Sequence, residues 1–215
     1  MEITVKKFKE LVLRENEKQN LISRKSIQYE LDKHIEDSIR VLDFISFTNQ
    51  RIIDLGSGAG FPGLVLAMYC RDADFTLVES DHKKSLFLQT ASQELGLSHV
   101  TVICERAEVL GQDKGFREGF DFCTSRAVAA MNILLEYGLP LVKPGGQVVM
   151  WKGCNYQQEI NESRNALHLL GGSPGNIYLY SLLEERDRAI VMVEKTAATP
   201  AKYPRRVGIP SKRPL

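Results

Sequence analysis

The 215-residue chain lacks any apolar run long enough to cross a bilayer, and its first residues, M-E-I-T-V-K-K-F-K-E, lack the apolar core of a secretory signal. Both absences point to a cytoplasmic protein. Cysteine is sparse and scattered: Cys70, Cys104, Cys123 and Cys154 form no C-x-x-C pair and have no histidine at metal-ligand spacing. Neither a zinc site nor a disulfide framework is expected, and the residues read as reduced thiols with no metal. No internal repeat and no low-complexity tract is present. Acid is missing from one end. From Lys195 onward come Lys195, Lys202, Arg205, Arg206, Lys212 and Arg213 with no Asp or Glu, while the preceding residues carry 22 basic against 27 acidic side chains. That segment also holds four of the eight prolines, so it is expected to be extended, with a charge that suits a polyanion.

What is present is ordinary in bulk: 43% apolar and 26% charged residues, in a length that gives one domain a full core and leaves little room for a second. Residues 1–48 carry helical periodicity, with Phe8, Leu11 and Val12 on one stripe and Leu31, Ile35, Ile39 and Leu42 on another. Asn20 to Ile27 separates the two. From Arg51 the pattern changes to β-rich runs at Arg51–Leu55, Phe75–Glu79, Val100–Cys104, Phe120–Ser125, Gln147–Trp151, Ile177–Leu182 and Ala189–Glu194. Helical stretches at Pro62–Tyr69, Lys83–Gly96, Ala129–Tyr137 and Gln157–Leu170 alternate with the earlier strands, the mark of a parallel, doubly wound sheet. Only Leu183 to Arg188 separate the last two strands, too few for a crossover helix, so these should form an antiparallel hairpin. The expected fold is α/β and Rossmann-like, with a seven-stranded, mostly parallel sheet ending in that hairpin. Residues 1–48 form a helical cap, 49–195 the sheet domain, and 196–215 a basic, Pro-rich tail.

The most informative stretch is R-I-I-D-L-G-S-G-A-G-F-P-G at Arg51–Gly63, an apolar strand that runs through an aspartate into Gly56, Gly58, Gly60 and Gly63. Glycine tolerates positive φ and carries no Cβ, so such a turn can bend sharply, expose amides and approach a small molecule. In an open α/β sheet this first strand-to-helix turn lies where ligands bind. Gly58-x-Gly60-x-x-Gly63 with Glu79 about twenty residues on fits a dinucleotide, yet an acidic residue before G-x-G-x-G resembles the first motif of class I S-adenosylmethionine methyltransferases. Glu79 serves either cofactor by accepting ribose hydroxyls. Asp54 reads as a structural acceptor for loop amides or as a contact to the cofactor's charged methionine end. Ala107 and Glu108 fall where an adenine would be bracketed. The one Tyr-x-x-x-Lys, Tyr29 to Lys33, precedes the turn, the wrong order for a short-chain reductase.

Further segments carry a closer resemblance. N-L-I-S at Asn20–Ser23, H-I-E-D-S-I at His34–Ile39, D-L-G-S-G-A-G-F-P-G at Asp54–Gly63, S-R-A at Ser125–Ala127, W-K-G at Trp151–Gly153 and the basic K-Y-P-R-R-V-G-I-P-S-K-R-P-L ending occur in order over nearly the whole chain. Together they resemble the bacterial small-subunit ribosomal RNA guanine-N7 methyltransferases (RsmG, also called GidB). The resemblance implies S-adenosylmethionine as methyl donor and a guanine of the decoding region as acceptor; a ribonucleoprotein subunit is the expected form of the RNA, and a monomer the expected form of the enzyme. It places cofactor contacts on Gly56, Phe61, Ala107, Glu108 and Arg126, beside Asp54, Gly58, Gly60 and Glu79. Two positions depart from the family pattern: Trp151 replaces a smaller apolar residue and reads as core packing or as a stacking surface, and Glu79 stands where many members have Asp.

What the strand ends lack fits that chemistry. Ser125-Arg126-Ala127 occupies the place where amino-directed nucleic-acid methyltransferases resemble one another in an Asn/Asp-Pro-Pro-aromatic run, and no cysteine follows a proline as carbon-5 methylation would require. Guanine N7 already presents an in-plane lone pair, so alignment suffices and no general base is expected. Arg126 is the pocket candidate, for the cofactor or for the guanine O6, with a structural ion pair as its other reading. Lys152, Arg205, Arg206, Lys212 and Arg213 are the candidate phosphate contacts. A methyltransferase of the same fold acting on a small molecule or protein, and a non-catalytic RNA-binding module, are the alternatives.

Overall fold

A computed structural model describes residues 2–22, 27–182 and 185–215. Ser23 of the N-L-I-S segment, residues 24–26 of the break between the first helices, and Leu183 and Glu184 of the expected turn lie outside the described residues. Two helices come first, α1 (Glu2–Asn16) and α2 (Ile27–Ile39), followed by a single 3-10 turn at Arg40–Asp43. Phe8, Leu11 and Val12 form the buried stripe of α1, and Asn16 ends it. The Asn16 side chain, 3% exposed, accepts the amides of Leu21 and Ile22 at 2.8 and 2.9 Å, which satisfies chain groups that leave the helix.

The sheet contains β1 (Arg51–Leu55), β2 (Asp74–Val78), β3 (Val100–Ile103), β4 (Phe120–Arg126), β5 (Val142–Lys152), β6 (Gly172–Leu182) and β7 (Glu185–Lys195), in the spatial order β3-β2-β1-β4-β5-β7-β6. The first five are parallel; β7 runs antiparallel to β5 and to β6. Strand order reverses between β1 and β4, which sets the ligand crevice at the carboxyl ends of these two strands. One face of the sheet is covered by α1, α2, α3 (Gly63–Tyr69) and α4 (His82–Glu94), through Phe8, Leu31, Leu64, Leu66 and Leu88. The other is covered by α5 (Ala107–Leu110), α6 (Met131–Gly138) and α8 (Arg164–Leu170), through Leu110, Leu134, Leu135, Leu167 and Leu170.

Several expectations need correction. The single helix expected over Gln157–Leu170 is two, α7 (Tyr156–Glu162) and α8, because the buried Ser163 hydroxyl and amide both turn back on the Glu159 carbonyl, at 2.6 and 3.0 Å. The hairpin strands are longer than expected. β6 starts at Gly172 rather than at Ile177, because it is an edge strand, where Pro174 costs no ladder bond and a register shift absorbs the irregularity. The short α5 carries no periodic pattern and is not legible in the sequence.

The tail is not extended into solvent. Arg117 donates to the carbonyls of Gly111 and Tyr203 (2.7 and 2.8 Å) and of Thr199 (2.6 Å), and Gln112 donates to those of Ala201 and Pro204. Lys195, 1% exposed, donates to the Leu139 carbonyl and to Thr199 Oγ1, both at 2.6 Å. The segment closes with α9 (Ile209–Lys212).

Candidate active site

The glycine turn sits on β1 and is built around a buried acid. Asp54 is fully buried: its Oδ2 accepts the Ser57 hydroxyl at 2.6 Å and the Gly63 amide at 3.2 Å, and its Oδ1 accepts Thr124 Oγ1 of β4 at 2.7 Å. Burial outweighs these bonds and raises its pKa to about 6. The geometry assigns Asp54 to the interior of the loop, which corrects the expectation of a cofactor contact. A Cβ on Gly63 would lie 2.5 Å from that carboxylate and from Leu77, so glycine here serves close packing of α3 on the strands.

The turn itself bends through positive φ at Gly56 (68°), Gly58 (54°) and Gly60 (100°). Five of its amides are engaged within the fold. Gly56 and Ser57 donate to the Val78 carbonyl, Gly60 and Phe61 to the Ser57 carbonyl, and Gly58 to Glu79 Oε2 at 2.9 Å. The turn therefore approaches a ligand by lacking side chains rather than by exposing donors. A Cβ on Gly58 would meet only the Gly56 carbonyl oxygen within 4 Å, at 3.8 Å, so this side of the turn is open. Glu79, 8% exposed, also accepts the Asp81 amide at 2.8 Å through Oε1. Each oxygen thus keeps a lone pair for a ribose hydroxyl, and the residues present fit an adenosyl cofactor.

The resemblance places Phe61 and Arg126 at the cofactor, and the structure brings them together. The Arg126 guanidinium lies 5.0 Å over the Phe61 ring, while Phe61 packs edge-on against Phe8 at 5.6 Å and lies 5.2 Å from the His34 ring. Arg126 Nη1 donates to Asp37 Oδ2 at 2.8 Å and to the His34 carbonyl at 3.2 Å. Asp37 is 2% exposed and is the hub of this cluster. Its Oδ1 accepts the Tyr180 hydroxyl at 2.6 Å, Arg188 Nη1 lies 3.7 Å from its Oδ2, and its carbonyl accepts the Trp151 indole N–H at 2.8 Å. Trp151 is therefore a core residue that ties β5 to α2, and its stacking reading falls away. Burial and then the Arg126 charge lower the His34 pKa to about 4, so its ring is neutral at neutral pH. Burial likewise lowers the Arg126 pKa and raises that of Tyr180, the latter aided by Asp37. Arg126 makes no further hydrogen bond among the described residues, so Nε and Nη2 keep their donor capacity.

Sequence reasoning singled out neither Tyr180 nor Arg188. Nothing in a half-exposed edge strand marks which tyrosine will meet a helix.

Val128 is 41% exposed, and its Cγ2 would lie 2.4 Å from a Cβ on Gly56, so this side chain forms a wall beside the turn. Ala107 opens α5 after β3; the Glu108 side chain, 6% exposed, turns away to accept the Gly208 amide at 2.9 Å. Only the backbone at 107–108 is left to face a cofactor. Two of the phosphate candidates are engaged internally. Lys152 Nζ donates to Glu159 at 2.7 Å and to the Ala129 carbonyl at 3.1 Å, and Arg205 forms a two-pronged pair with the buried Glu136. Both are corrections: a cation already neutralised inside the fold offers a phosphate little. Arg206, Lys212 and Arg213 are exposed and in no ion pair among the described residues. No cluster among the described residues could hold a metal ion, and none of their helices is long and apolar enough to cross a membrane.

Comparison with known proteins gives one consistent result. The family described as rRNA small subunit methyltransferase G (GidB) matches residues 1–190. The chain is 56% identical to the ribosomal RNA small subunit methyltransferase G of Syntrophomonas wolfei subsp. wolfei over 215 residues, the whole of both chains. Among solved structures it resembles M. jannaschii TYW2 in complex with AdoMet, with a TM-score of 0.59 at 17% identity, covering 75% of this chain and 74% of that one. It also resembles geranyl diphosphate C-methyltransferase from Streptomyces coelicolor A3(2) with S-adenosyl-L-homocysteine, with a TM-score of 0.59 at 13% identity over 78% and 80% of the two chains. At such identities these structures speak to the fold alone.

Proposed function

The chain belongs to the rRNA small subunit methyltransferase G (GidB) family, and from that membership we propose that it methylates N7 of one guanine in the decoding region of small-subunit ribosomal RNA. S-adenosylmethionine is the methyl donor; bound at the glycine turn it supplies a sulfonium methyl that the N7 lone pair can take without prior loss of a proton. The chain's task is then to bind, orient and exclude water. Gly56, Gly58 and Gly60 let the backbone approach, Glu79 receives the ribose, the backbone of Ala107 and Glu108 brackets the adenine, and Val128 walls the pocket. Arg126 directs its remaining guanidinium donors at the crevice, where guanine O6 is a suitable acceptor.

The observation that carries the reading is the arrangement at the carboxyl edge of β1 and β4. An open glycine turn, a carboxylate with spare acceptor capacity and an arginine meet there. Residues 1–48 act as a cap, and the residues after 195 as the RNA-facing segment of a monomeric, cytoplasmic enzyme that takes its RNA as a ribonucleoprotein subunit. The test is transfer of a labelled methyl group to small subunits from cells that lack the enzyme, followed by mapping of the modified nucleotide. A single 7-methylguanosine is expected; label on an exocyclic amine, or none, refutes the reading.

A further inference from the structure

The residues from Arg205 to Arg213 form a loop whose two ends are joined by one guanidinium. Arg205 Nε and Nη2 donate to the two oxygens of Glu136 at 2.8 and 2.5 Å, and its amide donates to Glu136 Oε1 at 2.9 Å. The same Nη2 reaches across to the Arg213 carbonyl at 2.7 Å. Between those ends the Gly208 amide is held by Glu108. Glu136 is fully buried and Glu108 nearly so, at 0% and 6% exposure. Charge is thereby sorted. The acids point inward and each holds the loop, while Arg206 lies between the anchored positions 205 and 208 and points outward, as do Lys212 and Arg213 beyond them. Val207, 52% exposed, shares the outer surface.

A solvated charged tail has no need of this. Ordering such a loop costs conformational entropy, and two buried carboxylates are committed to offsetting it. The Glu108 anchor also fixes where the cations stand. Residue 108 follows the carboxyl end of β3, so the loop lies on the same edge of the sheet as the glycine turn. An exposed, fixed group of cations beside a methyl-transfer crevice fits the phosphate backbone of RNA, and ordering it in advance lowers the entropy lost on binding.

We propose that residues 205–213 are a preorganised docking surface for the phosphodiester backbone of the RNA substrate. Arg206, Lys212 and Arg213 make the contacts, and Arg205, Glu136 and Glu108 are positioning residues. The inference rests on the reading of the protein as a ribosomal RNA methyltransferase.

The test measures binding and methyl transfer on small subunits that lack the modification, across a range of salt concentrations. The triple variant Arg206→Gln, Lys212→Gln, Arg213→Gln alters only exposed, unpaired side chains. It should reduce the slope of log K against log salt by about 2 to 3, at roughly 0.7–0.9 per phosphate contact, and raise KM for the RNA far more than it lowers kcat. Arg205→Lys keeps the charge but loses the fork that grips Glu136 and the Arg213 carbonyl. It should raise the RNA KM at least about threefold, while Lys114→Gln, an exposed lysine in the loop entering β4 at the opposite edge, changes neither quantity. An unchanged slope in the triple variant overturns the proposal. So does a wild-type KM in Arg205→Lys beside a weakened triple variant, because a loose charged tail would behave in that way. A wild-type chain that methylates no subunit refutes the parent reading and the docking surface together, whereas a normal wild type with an unaffected triple variant refutes the docking surface alone. If Arg205→Lys fails to fold, Glu108→Ala, which removes the Gly208 anchor alone, takes its place, with the same rise in the RNA KM expected and a wild-type KM overturning the proposal.

Discussion

Arg126 changes its expected behaviour once its partner is known. If it served the pocket alone, replacing it by alanine should reduce methyl transfer well before stability. In the structure its side chain is 10% exposed and pairs with an aspartate whose own side chain is 3% exposed. Removing one member of such a pair leaves a buried charge uncompensated, which costs about 3–5 kcal/mol, less whatever Arg188 at 3.7 Å recovers. Arg126→Ala should therefore lower the urea midpoint of the ligand-free protein; an unaltered midpoint means that Asp37 is held by Tyr180 and Arg188 alone. His34 offers a second check through pH. Its folded pKa of about 4 lies below the ordinary 6.5, so the unfolded chain binds more protons between those values. Stability due to the neutral ring is present above pH 6.5 and is lost as pH falls towards 4. Asp54, raised to about 6, works in the opposite sense, since its contribution is present below the ordinary 3.8 and is lost as pH rises through 6. The two overlap, so the comparison must be differential. Wild type minus His34→Gln, followed by chemical denaturation at several pH values, should show wild type losing relative stability from pH 6.5 down to 4. A difference independent of pH would mean that the ring titrates normally.

The glycine turn was the most legible element in the sequence, and what was legible was its existence rather than the work of each glycine. Spacing alone makes Gly58, Gly60 and Gly63 equivalent members of one pattern, but their surroundings separate them. Gly63 has Asp54 and Leu77 2.5 Å from where a Cβ would stand, whereas Gly58 has open space. Gly63→Ala should destabilise by about 1–3 kcal/mol from overpacking against β1 and β2, and it disturbs the carboxylate that holds the loop. Gly58→Ala should cost only the strain of its positive φ, about 1–2 kcal/mol, yet weaken S-adenosylmethionine binding, because the new methyl enters the open side of the turn. Calorimetric titration beside thermal melts separates the two effects; equal cofactor affinities in Gly58→Ala and wild type would place the ligand elsewhere. Other elements were less legible for stated reasons. Ser163 splits a helix whose apolar periodicity runs on without interruption, and only its buried hydroxyl bonding to the preceding turn reveals the break. Glu136 is an acid in the apolar run Leu134-Leu135-Glu136, an anomaly that could have announced an inward partner, but not which of six C-terminal cations would supply it.

At the scale of the molecule, segments far apart in sequence prove to be neighbours. H-I-E-D-S-I contributes Asp37 and the His34 carbonyl, F-P-G contributes Phe61, S-R-A contributes Arg126, and W-K-G contributes Trp151; all meet around Asp37. Order along the chain was legible and convergence was not, because the bonds that create it run from a helix before the sheet to the ends of strands more than eighty residues later. The cluster has a consequence for ligand response. Phe61 belongs both to the turn and to the contacts of α1 and α2, through Phe8 and His34, so a cofactor that orders the turn also braces the cap. Binding confined to the native state stabilises by about 2.7 kcal/mol at a hundredfold excess over Kd. For a chain of this length each kcal/mol moves Tm by about 2–4 °C, so saturating S-adenosylmethionine should raise Tm by roughly 5–10 °C. NAD at the same concentration should leave it unchanged, although Gly58-x-Gly60-x-x-Gly63 and Glu79 satisfy its fingerprint too. The distinction lies in what flanks the turn: the first glycine of a dinucleotide site opens directly off its strand, whereas here Asp54 and Ser57 lock an extra step into the loop before Gly58. A shift with NAD and none with S-adenosylmethionine would show that this locked step does not select the ligand.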